Sequence, residues 1–171
     1  MSRSIVFSRM LTAAAFILLS NIASAQPSAS VPACATLLTA DELTKIIGEK
    51  MTDMGPRVRE SGESECSWML RGGSKGFKTV SVQFYDVKAI KASPAAPTLP
   101  AFFEQTVSAG EGAASGNKRE MLTGIGDKAA FVQTDPQVLA VVQRPNGVAR
   151  IVGNNLTKAE ITAVARAVAT P

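Results

Sequence analysis

Histidine is absent from all 171 residues. That one absence removes Ser-His-Asp triads, Cys-His dyads, histidine-bearing zinc sites and haem held through histidine. Cysteine occurs only at Cys34 and Cys66. Their spacing is far from C-x-x-C, and two thiolates alone cannot complete a zinc shell. Aromatic residues make up 5% of the chain, with one tryptophan and one tyrosine, so a stacking platform for bases or sugars has little to be built from. No P-loop and no dinucleotide-binding glycine pattern occurs. No apolar run reaches the roughly 20 residues of a membrane-spanning helix. The formal net charge is +4, without the dense basic stripe of a nucleic-acid-binding chain.

What is present begins with a leader pattern. Arg3 and Arg9 flank the start of an apolar stretch over residues 11–19, and Ala23-Ser24-Ala25 supplies a small-x-small cleavage site. Residues 1–25 read as a signal peptide, 26–33 as a Pro/Ser/Ala flexible tether, and 34–171 as one domain with a single core. No arginine pair precedes the apolar stretch, which favours the general secretory route. No cysteine directly follows Ala25, as lipid attachment would require. With Arg3 and Arg9 removed, the formal charge of +4 halves. The expected product is exported, periplasmic or secreted, soluble after cleavage and without a transmembrane anchor.

In an oxidising compartment an even cysteine count reads as a disulfide, and Cys34 to Cys66 is the only pairing within the chain. It closes a loop of about 33 residues, worth roughly 3–4 kcal/mol in chain entropy. In "ECSWML", strand alternation puts Cys66, Trp68 and Leu70 on one face and Glu65, Ser67 and Met69 on the other. Trp68 is therefore expected in the core, packed on the disulfide. The alternative, an exposed stacking platform, has only Tyr85 to support it.

Two helix starts carry a capping box with a hydrophobic staple: Thr39 with Glu42, closed by Gly48, and Thr157 with Glu160. Their likeness, "LTADELT" and "LTKAEIT", fits either an old duplication or convergence on the same capping chemistry. A third helix is expected over residues 99–109, and one helical turn near 87–91. Strands are expected near 50–60 (an edge strand, since it holds Pro56), 65–70, 79–85, 118–122, 128–134, 137–143 and 147–153. Asn146-Gly147 marks the last hairpin. The run from 138 to 142 is apolar on both parities and so expects cover on both faces. The fold class is α+β: a single antiparallel sheet of about six or seven strands with two or three helices packed mainly on one face.

Fragments with possible chemistry are few. "SGNK" places Ser115 and Lys118 at S-x-x-K spacing, but in a glycine-rich loop without companion motifs. "GIGD" reads as turn glycines more readily than as an anion nest or cation loop. Glu60, Glu63 and Glu65 lack the ligand density of a calcium loop and read as a solvated turn. Arg57, Arg59, Arg71, Lys75 and Lys78 form a candidate patch for an anionic partner. Edge strands and turns carrying cations to stay unpaired are the plainer account.

These motifs together resemble a group of bacterial exported domains, many of them lipoproteins of unassigned function. The shared outline is a Cys before L-T-x-x-E, a helix-closing Gly, C-x-W, then G-x-G-D-x-A. Here it runs through Cys34, Leu38-Thr39, Glu42, Gly48, Cys66-Ser67-Trp68 and Gly124-Ile125-Gly126-Asp127-Lys128-Ala129. The resemblance implies an antiparallel α+β fold and an envelope role in sensing, inhibition or adaptor work, and it transfers no catalytic residue. The expected function is a non-catalytic envelope binding or interaction module. No cofactor, metal or nucleic acid is expected, and the partner is an envelope protein or a small or anionic ligand. The alternative is a small hydrolase-like enzyme using a Ser/Lys or carboxylate pair.

Overall fold

Period-two alternation fills the middle and the end of the sequence, and the chain resolves it into one antiparallel sheet. The structure, a computed structural model, describes residues 33–59, 63–73, 76–112 and 118–170. The leader, most of the tether, Glu60, Lys75 and Ser115 lie outside the described residues. In chain order the elements are a 3-10 turn Ala33–Thr36, α1 Ala40–Ile47, β1 Thr52–Val58, β2 Glu63–Gly73, β3 Gly76–Asp86, α2 Val87–Lys91 and α3 Leu99–Gly112. They continue with β4 Arg119–Leu122, β5 Lys128–Thr134, β6 Gln137–Arg144, β7 Gly147–Asn154 and α4 Lys158–Ala169. The sheet has 7 strands in the order β1-β2-β3-β7-β6-β5-β4. Two meanders, β1–β3 and β4–β7, are thus joined side by side through β3 and β7.

The α+β sheet matches expectation, but the helices do not gather on one side. One cluster holds α1, α4 and the 3-10 turn against Cys66, Trp68, Val80, Val82, Ala140 and Ile151. The other holds Ile90 of α2 and Phe103 and Val107 of α3 against Ala130, Val132, Leu139, Val141 and Val148. The cause is β6, whose even residues feed the first cluster and odd residues the second. A strand apolar on both parities demands cover on both faces. No helix among the described residues is long and apolar enough to cross a membrane.

The cysteines form the expected bond, with Cα atoms 5.8 Å apart, and Cys34, Cys66 and Trp68 are all buried in one cluster. A second tie lies beside it: the Cys34 amide donates to Ser64 Oγ at 3.2 Å. Both capping boxes form, each with side-chain and backbone halves in place. The two look-alike helices occupy non-equivalent places, α1 ahead of the edge strand and α4 after a central one. Shared capping chemistry accounts for their likeness better than a repeated unit.

Glu160 does more than cap. Its two carboxylate oxygens accept from Lys78 Nζ at 2.8 Å each, while Oε2 also accepts from the Thr157 amide at 2.9 Å. The pair joins β3 to α4 with side chains 6% and 15% exposed. Burial alone would raise the Glu160 pKa, yet the bonds from Lys78 and Thr157 outweigh it and hold the carboxyl below its usual range. At the opposite end of α4, buried Arg144 donates to the Val168 carbonyl at 2.7 Å, satisfying the helix C-terminus.

Two outcomes follow from this core. A Cys34→Ser/Cys66→Ser double variant should lose about 3 kcal/mol in urea titration; a loss below about 1 kcal/mol would show that the clamp is dispensable. Because the folded-state pKa of Glu160 is depressed, its contribution is present above the unfolded value of about 4.3 and fades as pH falls through the folded one. Glu160→Gln should therefore cost about 2–3 kcal/mol at neutral pH and flatten the acid limb of stability against pH. An unchanged acid limb would refute that role.

Candidate binding face

With Cys66, Trp68 and Leu70 turned into the disulfide core, Glu65, Ser67, Met69 and Arg71 must face the other way. Helix α3 packs on β5, β6 and β7 of that face and α2 on β3, leaving this side of β2 and β3 half-buried and β1 exposed. The register builds ordered cross-strand rows there. One row runs Arg57, Glu65, Gln83, Arg150; the next Ser67, Ser81, Val152; the next Thr52, Met69, Thr79, Asn154. Hydrogen bonds lock each row: Arg150 Nη1 donates to Gln83 Oε1 at 2.8 Å, the Ser67 and Ser81 hydroxyls lie 2.9 Å apart, and Asn154 Nδ2 donates to Thr79 Oγ1 at 2.6 Å. The face is polar and pre-organised.

Its rim is shaped by a bulge in β1. Register slips between Asp53 and Pro56, and Gly55 takes φ +83°, a backbone region costly for side chains with a Cβ. The Gly55 amide donates to Asp53 Oδ1 at 2.7 Å, fixing the turn. Met54 is left 50% exposed and forms, with Met69, a wall shared by two cavities. One, of about 270 Å³, is also lined by Lys50, Thr52 and Arg71. The other, of about 250 Å³, is bordered by Arg57, Ser67, Thr79 and Ser81. Together they make a groove with a thioether wall and cationic rims.

The expected cationic patch is thereby redrawn. Arg57 and Arg71 stand on this face, and among the described residues neither has a carboxylate partner. Arg59 is drawn toward Glu63 and Glu65, at 3.7 and 3.5 Å. Lys78 is not part of the patch: its parity with Val80 and Val82 points it through the sheet, where it is buried and neutralised by Glu160. Lys50, at the mouth of the first cavity, joins the group instead. It lies just ahead of β1, which starts at Thr52 rather than at the expected residue 50. Arg150 sits in an apolar run, although it shares parity with Val148 and Val152 and opposes Ala149 and Ile151.

The remaining fragments resolve by geometry. Gly124 and Gly126 take φ +69° and +56°, and a Cβ on Gly126 would stand 2.6 Å from the Gln143 carbonyl. "GIGD" is therefore a tight turn, with the Asp127 amide donating to that same carbonyl at 3.0 Å. Trp68 is 2% exposed, so it offers no stacking platform. The acidic cluster is not a solvated turn: Glu63 and Glu65 belong to β2, and Glu63 is buried.

Glu63 stands opposite Tyr85 in the β2–β3 register, so its carboxylate charge acts on the phenol. Burial first, then the adjacent Glu63 charge, pushes the Tyr85 pKa up, with Arg150 and Arg59 opposing. Tyr85 is the chain's one tyrosine, so an ultraviolet titration reports on it alone. Its midpoint should lie above the ordinary value of about 10, and Glu63→Gln should move it down. Since the folded pKa is raised, the stability it contributes is present below about pH 10 and lost as pH rises through the folded value. An unshifted midpoint would contradict the contact. The chain matches no protein-family model, and no curated protein or solved structure is significantly similar to it, so the chemistry of this face is the ground for a functional reading.

Proposed function

We propose that the chain is an exported, non-catalytic binding module whose open β1–β3 face takes an acidic segment of an envelope partner. One observation carries the reading: at the margin of a pre-organised sheet face, exposed Lys50, Arg57 and Arg71 surround a groove walled by Met54 and Met69. Cations elsewhere in the core are matched, as Lys78 by Glu160 and Arg144 by a helix-end carbonyl. Unmatched cations beside flexible thioethers are suited to an acidic, partly apolar ligand, because methionine adapts its shape while the charges steer approach.

The leader pattern and the resemblance to exported lipoprotein-type domains support an envelope setting. The lack of histidine, and the use of both thiols in the disulfide, support binding over nucleophilic catalysis.

The test is a fluorescence-anisotropy titration with a labelled Glu/Leu-alternating peptide at low and physiological salt. Binding should be saturable and weaken with salt. An Arg57→Glu/Arg71→Glu variant should lose about tenfold or more in affinity with its thermal midpoint unchanged, since reversed charges repel an acidic ligand. Equal affinity in variant and parent would remove the basis of the proposal.

A further inference from the structure

We propose a second binding site at the other end of the same face: the cavity between α2, the start of α3 and the ends of β2 and β3 takes a primary ammonium group borne on a small aromatic or apolar body. This cavity, of about 270 Å³, is lined by Glu63, Tyr85, Ala89, Ala92, Ser93 and Phe102. It lies six residues along β2 from Met69, roughly 20 Å from the cationic groove. The volume is just under the usual range of about 300–1,000 Å³ for small-molecule sites, which suits a fragment-sized occupant.

The recognising group is Glu63. It is 8% exposed, and its Oε1 is buried without a hydrogen-bond donor among the described residues. A buried carboxylate oxygen left without a donor is costly, and native structures seldom tolerate one without a reason. Tyr85 stands opposite Glu63 across the strand pair, and Arg59, though within ion-pair distance, makes no hydrogen bond to Oε1. Its Nε stays 3.7 Å away on a side chain 59% exposed, and another nitrogen of its fork leans on Glu65.

The walls choose among donors. Tyr85 and Phe102, with ring centroids 4.9 Å apart and planes tilted by 52°, both line the cavity, while Ala89 and Ala92 leave room and an apolar lining. A compact cation gains both the carboxylate bond and attraction to the rings, whereas a neutral alcohol of the same shape gains only the bond. An anion is repelled by Glu63. The site therefore has charge preference opposite to that of the groove.

Calorimetric titration of the purified protein with phenethylammonium, and with phenethyl alcohol as its neutral counterpart, tests this. The ammonium probe should bind saturably and about tenfold or more tighter than the alcohol. Glu63→Gln should erase that preference. Should this variant fold poorly, Ala92→Trp, at an exposed rim position, should block the cavity and abolish binding without disturbing the core. Arg57→Glu/Arg71→Glu should leave ammonium binding intact, which separates this site from the groove. Equal affinity for the two probes, no saturable binding, or a preference that survives both Glu63→Gln and Ala92→Trp would overturn the proposal.

Discussion

The bond between Cys34 and Cys66 decides which way β2 faces. A strand has two faces with a period of two, so a one-residue slip would exchange every side chain between core and solvent. Tying Cys66 to a cysteine beneath the sheet, with Ser64 bonded to the same residue's amide, leaves a single register. Trp68 and Leu70 then go to the core, and Ser67, Met69 and Arg71 to the open face. The neighbouring strands inherit this choice through the ladder, down to the pairing of Gln83 with Arg150. The clamp and the binding face are thus two sides of one constraint.

Charge is handled differently on the two sides. Under the sheet, Lys78 meets Glu160 and Arg144 meets the end of α4, so each buried cation has a partner. Desolvation makes that necessary, since removing either partner would strand a charge in a poor dielectric. On the exposed margin of α3, Arg119 joins Glu104 and Glu111, and Lys128 shares Glu104. These bonds lower both carboxyl pKa values, but solvent screens them and they chiefly orient the helix. Against that background the unmatched Arg57 and Arg71, and the donor-poor Glu63, stand out as places where the fold leaves polar capacity unused.

Helices on both sides follow from the inequality of the two meanders. The second contains β6, apolar at every position from Val138 to Val142, and it needs α3 above as well as α4 below. The first alternates cleanly, Val80 and Val82 against Thr79, Ser81 and Gln83, and its polar side carries a helix only at the end where α2 meets β3. Where α3 stops, the open face begins. Position of the groove is therefore a by-product of where apolar parity ends.

Local rules were enough for much of this: both capping boxes, the burial side of Trp68, the edge position of the Pro56 strand, the Asn146-Gly147 hairpin and the disulfide pairing are each set by residues within a few positions or by the scarcity of cysteine. The same rules grouped Arg57 and Arg71 in one cationic patch. They failed for Lys78, grouped with cations close in sequence although its partner, Glu160, is 82 residues away, and for Glu63, whose burial depends on Tyr85, α2 and α3. Strand periodicity reports which side a residue takes, because that is a property of the backbone itself. What stands on that side depends on contacts between distant segments, and only the packed chain decides it.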